Sequence, residues 1–89
     1  MKRKEAIIRQ LGQVGWATRH QIAEAIRAPL TTVSQRLSEL KKAGIVRNVV
    51  WHDGSRVWVL TEEGGRRFEY YVKRDRKRKR GERERRGAD

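Results

Sequence analysis

Residues 30–46 read LTTVSQRLSELKKAGIV, and this stretch decides the fold. At about 100° per residue, Val33, Leu37 and Leu40 fall on one narrow stripe, at about 0°, 40° and 340°. Thr31, Gln35, Ser38 and Lys42 fall opposite, between about 140° and 200°, with Lys41 at the edge of that face. The spacing predicts a helix from about Leu30 to Ala43, stopped by Gly44. A solvated helix face is usually filled with Glu and Lys, and Ser and Thr have poor helix propensity. A face of short hydrogen-bonding side chains therefore points to a partner that holds it. Arg36 falls at about 300°, near the core edge, within reach of Glu39 or Glu24.

N-terminal to this stretch, Ile7, Ile8 and Leu11 share one face of a helix over Lys2 to Gln13, continued by Val14, with Gly12 and Gly15 marking its end. Trp16-Ala17 reads as a very short strand. Thr18 lies three residues before Gln21, the capping-box spacing, and opens a helix whose buried face is Ile22, Ala23 and Ile26. Pro29 disfavours helical geometry at Ala28 and closes it.

C-terminal to the stretch, Ile45–Trp51 and Arg56–Leu60 are rich in β-formers and flank His52-Asp53-Gly54-Ser55. Asp-Gly between such runs predicts a hairpin with a type I′ turn. That turn sets Trp51 opposite Arg56, Val50 opposite Val57 and Val49 opposite Trp58, with a cation–π contact in the first pair. Thr61 then caps a last helix with Glu62 and Glu63 in its first turn. Phe68, Tyr71 and Val72 share a face of it, while Gly64 and Gly65 weaken it by about 1 kcal/mol each.

The chain has 89 residues, 23 Lys+Arg against 11 Asp+Glu, no Cys and a net charge of +12. Such a length is one domain with a small core. Without Cys there is no disulfide scaffold, Cys-based zinc site or thiol nucleophile. No apolar run approaches the roughly 18 residues of a membrane helix. Residues 73–89 carry ten cations and four acids and almost no apolar residue. They read as a highly basic C-terminal extension, helical at first and then frayed, beyond a folded unit at residues 1–72. Each part holds a net of +6.

The order helix, short strand, helix, helix, hairpin, helix is mainly α with a small β wing (α+β). It resembles the winged helix-turn-helix domain of the MarR and ArsR-type transcriptional regulators. The likeness rests on Gln21-Ile22-Ala23, on Thr32 to Leu40, on Gly44-Ile45-Val46 and on Leu60-Thr61-Glu62-Glu63-Gly64, and it covers residues 5–72. Pro29, where relatives carry a Ser or Thr cap, and the second glycine, Gly65, depart from the pattern. The resemblance implies a recognition helix at about 30–43 in the major groove of double-stranded DNA and a wing at 47–59 on the minor groove or backbone. It implies base-edge or phosphate contacts from Thr31, Thr32, Ser34, Gln35 and Ser38, Gln being suited to adenine. Arg36, Lys41 and Lys42 would sit on phosphates, as would Arg19 and His20 at the second helix's start, with His52, Ser55 and Arg56 on the wing. The extension, with Lys73, Arg74, Arg76, Lys77, Arg78, Lys79 and Arg80, would add nonspecific affinity. Relatives dimerise through terminal helices, so a homodimer is expected, with Phe68, Tyr71 and Val72 as its surface.

His20 and Glu24 are spaced i, i+4, but two groups without a third ligand do not make a metal site. No cofactor is implied, no effector pocket is legible, and no catalytic constellation is visible. The three Trp residues read as core and hairpin packing rather than as a stacking platform for single strands. The expected function is a sequence-specific, repressor-like DNA-binding regulator, cytoplasmic and associated with the nucleoid. The alternatives are an architectural DNA-binding protein without sequence preference and an RNA- or ribosome-associated winged helix.

Overall fold

The computed structural model describes the backbone of residues 2–88 and the side chains of residues 2–77. Helices α1 (Arg3–Val14), α2 (Arg19–Ile26) and α3 (Leu30–Lys42) precede strands β1 (Val46–Val50) and β2 (Arg56–Leu60), and α4 (Glu62–Ala88) closes the chain. The core is where the stripes meet. Ile7, Ile8 and Leu11 of α1, Ile22 of α2, Val33, Leu37 and Leu40 of α3, then Ala17, Ile45 and Val46 form one buried cluster. Burying each large aliphatic side chain contributes about 1.5–3 kcal/mol, which is how a lean chain holds three helices together.

Local chemistry sets the boundaries of these elements. Thr18 Oγ1 accepts from Gln21 N at 3.1 Å, and Gln21 Oε1 accepts from Thr18 N at 2.9 Å, a complete capping box. The chain leaves α2 through Arg27 in the left-handed region, φ 54°, which turns it into α3 before Pro29. Thr61 closes the wing onto α4: its hydroxyl donates to the Gly44 carbonyl at 2.5 Å, with the Ile45 carbonyl at 3.1 Å, and accepts from Gly64 N. Gly12 does not end α1, which runs on to Val14. It lies where a Cβ would overlap the Phe68 ring, so its lack of a side chain serves helix–helix packing.

The hairpin register differs from the expected one by a residue. Val50 pairs with Arg56, Val49 with Val57 and Asn48 with Trp58. A type I′ turn needs positive φ at both central residues. Gly54 has φ 88°, but Asp53 does not have positive φ. Instead Gly54 N donates to Trp51 O and Trp51 N donates to Ser55 O, a three-residue loop with the left-handed glycine last. Asp53 serves it by accepting from Ser55 N at 2.9 Å and Ser55 Oγ at 2.6 Å. Hence Arg56 does not meet Trp51; it donates to Asn48 Oδ1 at 3.2 Å. The short strand expected at Trp16-Ala17 is a single bridge, Ala17 to Trp58, attached to the outer side of β2.

Helix α4 continues past Val72 without a break. Phe68 and Tyr71 pack against the core of their own chain. Where apolar residues run out, charge takes over. Arg74 Nη2 lies 2.8 Å from Glu5 Oε1, Arg9 Nη1 lies 2.6 Å from Asp75 Oδ2, and both guanidinium groups lie over the Tyr71 ring. Tertiary contacts of α4 with α1 therefore reach Asp75, past the last apolar residue of that stretch.

Candidate nucleic-acid interface

Helix α3 buries Val33, Leu37 and Leu40 and presents the opposite face to solvent. Thr31, Gln35, Ser38, Lys41 and Lys42 are exposed, and Thr32 and Ser34 are half-buried beside them. None of the exposed side chains is used by a hydrogen bond or ion pair within the described residues. Arg36 is different. It donates to both carboxylate oxygens of Glu39 at 3.0 Å, and Lys4 approaches the same carboxylate at 3.2 Å. Of the two partners open to it, Arg36 takes Glu39, on the side of α3 that faces α1. These contacts, Arg36 first and Lys4 second, hold the Glu39 carboxyl below the usual carboxylate range.

The second part of the surface lies between α2 and the wing. Thr18, Arg19, His20, Asn48, Arg56 and Trp58 line a shallow groove of about 390 Å³. The capping box satisfies Gln21 N and leaves the first N–H groups of α2 pointing outward, where a helix favours anions. Arg19, His20 and Arg56 are exposed there, and no carboxylate pairs with them among the described residues. At the wing tip His52 and Ser55 are exposed, and Asp53 is turned inward onto Ser55, which holds its carboxyl below the ordinary range.

The ion pairs of the described residues cluster on α1, α4 and the Arg36–Glu39 edge. Arg19, Lys41, Lys42, Arg47 and Arg56 stay exposed and without a carboxylate. Arg47, on β1, was not anticipated from the sequence. Its signal was available: the one charged residue of β1, in the strand that follows α3. On α4, Lys73, Arg76 and Lys77 are exposed, whereas Arg74 is taken by Glu5. Arg78, Lys79 and Arg80 lie outside the residues whose side chains are described. No group of three or more His, Asp or Glu able to hold a metal occurs among the described residues, and no helix there is long and apolar enough to cross a membrane.

No model of a known protein family matches the chain, and no curated protein sequence does. Solved structures do match. A double mutant of Lactococcus lactis ZitR in apo form superposes with a TM-score of 0.85 at 19% identity, over 98% of this chain and 67% of that one. NadR in complex with 4-hydroxyphenylacetate gives 0.84 at 22% identity, over 94% and 61%. A MarR family transcriptional regulator from Silicibacter pomeroyi gives 0.80 at 20% identity, over 85% and 52%. The fold is a winged helix-turn-helix. In that frame α2 and α3 are the helix-turn-helix and β1–β2 the wing. The winged helix here spans roughly half to two thirds of the length of these regulators.

Proposed function

We propose that this winged helix is a duplex-DNA reader of a transcriptional regulator, with α3 in the major groove and the wing on the adjacent backbone or minor groove. One observation carries the reading. An uncharged hydrogen-bonding face on α3 is flanked by exposed cations that no carboxylate of the described residues neutralises. Such a surface separates two tasks. Arg19, His20, Lys41, Lys42 and Arg56 supply phosphate contacts and position the helix, and Thr31, Gln35 and Ser38 meet base edges. Thr32 and Ser34 contribute from the rim, while Arg36 belongs to the α1 edge and contributes least. The similarity to regulators supports this reading over an enzymatic one.

Selection of bound duplexes from a random pool at about 150 mM salt tests it; a defined site is expected. Recovery of a pool with no sequence preference would favour the architectural alternative. Two-fold symmetry in the selected site would support a homodimer and its half-site spacing would give the dimer geometry. Since Phe68 and Tyr71 are engaged within the chain, the dimer surface on α4 moves to Val72 and the exposed Tyr70. The basic extension adds sequence-independent affinity. Truncation after Lys77 keeps the Arg74–Glu5 and Arg9–Asp75 contacts, and it is expected to weaken binding to all sequences alike and to flatten the salt dependence. We place the protein in the cytoplasm, with the nucleoid, on this reading alone.

A further inference from the structure

Folding leaves apolar surface uncovered where α1 passes into α2. Gly15, with φ 86°, turns the chain there, and Val14 and Trp16 on either side of it are 48% and 44% exposed. Both line a cavity of about 530 Å³ whose walls continue into Ala17 and Ala25. Sites that take small organic molecules measure about 300–1,000 Å³. The Trp16 indole is held from outside these walls, because it stacks on Trp51 with ring centroids 5.0 Å apart and planes 23° apart. A ring fixed in this way loses little freedom when a ligand meets it.

The charge of the cavity decides what suits it. Glu24 is the one charged residue of its lining. Three other depressions of the surface each carry two or more arginines and so suit anions. Here the sign is reversed. Glu24 is exposed, and no hydrogen bond or ion pair among the described residues engages its carboxylate. By contrast, Glu5, Glu39, Asp53, Glu62 and Glu63 are each drawn to a cation or a hydroxyl. Lys and Arg outnumber Asp and Glu by 23 to 11, so a carboxylate left over beside an indole is a local exception. The overall charge of +12 repels a cation at long range, but salt screens that field beyond about 8–10 Å. Within the cavity, the carboxylate and the π system of the indole attract the same kind of ligand.

We propose that this cavity between α1 and α2 binds a small organic cation with an apolar body, of the quaternary ammonium class. The cationic head lies between the Trp16 indole and the Glu24 carboxylate, and the apolar body rests on Val14, Ala17 and Ala25. A quaternary ammonium has no N–H to satisfy. It needs a π surface and a negative charge rather than an array of hydrogen-bond acceptors, and these residues supply both. An anion meets no cation in the lining, and a neutral molecule gains nothing from Glu24. No residue of α3 or of the two wing strands lines the cavity, so the site goes beyond the duplex reading and does not depend on it.

The test is an NMR titration of the nitrogen-labelled full chain at about 150 mM salt. The probes are benzyltrimethylammonium, its neutral near-isostere dimethyl benzyl carbinol, and the anion benzylsulfonate. Saturable shifts of the Trp16 indole N–H and of the Gln10 and Gln21 side-chain amides, which share the cavity, are expected with the cation. Affinity is expected to be weaker for the neutral probe and weakest for the anion. Glu24→Gln keeps the size of the side chain and removes its charge. It is expected to lower affinity for the cation about 2- to 5-fold and to leave the neutral probe unaffected. Trp16→Ala is expected to lose about 2- to 30-fold for the cation, and Trp16→Phe to retain part of that affinity. Equal affinity of the parent chain for the cation and the neutral probe overturns the proposal. So does a cation preference unchanged in Glu24→Gln, or the absence of saturable shifts at the three reporter side chains. Thermal melts verify folding, and if Trp16→Ala is unfolded, Trp16→Phe and the surface exchange Glu24→Gln carry the comparison.

Discussion

Gly64 and Gly65 are neighbours in the first turns of α4, and alanine at the two positions is expected to act in opposite directions. Helix propensity alone favours alanine at both by up to about 1 kcal/mol. At Gly65 a Cβ would meet nothing within 4 Å, so only the propensity gain remains. At Gly64 a Cβ would overlap the carbonyl oxygen of Ile45 and touch Leu60. That oxygen cannot step aside freely, because it accepts from Thr61 N at 3.0 Å. Relief requires α4 to lift off the end of β1, straining a hydrogen bond worth about 1 kcal/mol, on top of about 1–3 kcal/mol for overpacking. Set against the propensity gain, Gly64→Ala should lose roughly 2 kcal/mol. At about 4–8 °C per kcal/mol for a domain of this size, Tm should fall by roughly 8–16 °C. Gly65→Ala should raise it by a few degrees on the same scale. The assay is thermal denaturation followed by circular dichroism, with the two variants side by side. A Gly64→Ala protein as stable as Gly65→Ala would refute the close approach of α4 to Ile45.

Gln35→Ala should relax preference at one base pair of the selected site by about 1–3 kcal/mol, with little change in the salt slope; competition between the site and its single-base variants measures this. Arg19→Ala and Arg56→Ala should each weaken binding to every duplex and lower the salt slope by about one, so unchanged slopes would remove those residues from the phosphate set. Glu5→Ala leaves Arg9 and Arg74 side by side over Tyr71 with Asp75 but without Glu5, and should lower stability by about 1 kcal/mol in a denaturant titration, while an unchanged midpoint would show that the Glu5 contacts do not hold α4. The carboxyls of Glu39 and Asp53 are both held below their ordinary values, so their stabilisation is present above the unfolded carboxylate range of about 4 and is lost as pH falls through the lower native values. The Glu39→Gln, Asp53→Ala double variant should therefore show a flatter decline of Tm below about pH 4 than the parent chain.

The Asp53-Gly54 pair and the three tryptophans mark where reading residues in order stops being enough. Helix faces were legible because a helix imposes its period on its own residues: the Val33, Leu37 and Leu40 stripe and the Thr18–Gln21 capping box appear as expected. The polar face of α3 followed from the same geometry. Asp-Gly announced a turn, but the number of loop residues depends on where each strand is anchored. β1 is anchored by Val46 in the core and β2 by the bridge from Trp58 to Ala17, both contacts with distant parts of the chain. Those anchors set the register, and the Asp53–Ser55 contacts complete a three-residue loop.

Local patterning thus dictated the elements, their order and the polar face that α3 leaves exposed, because each depends on neighbours within a few residues. Tertiary contacts settled everything that joins residues far apart in the chain. Lys4 of α1 joined the Arg36–Glu39 pair of α3 at 3.2 Å from the same carboxylate. Tyr71 became a seat for Arg9 and Arg74, and the ion pairs beside it carry the contacts between α4 and α1 to Asp75 after the apolar residues have ended. Trp16 and Trp51 met outside the core because the α1–α2 connection and the end of β1 converge, and no one-dimensional period relates residues so far apart in sequence.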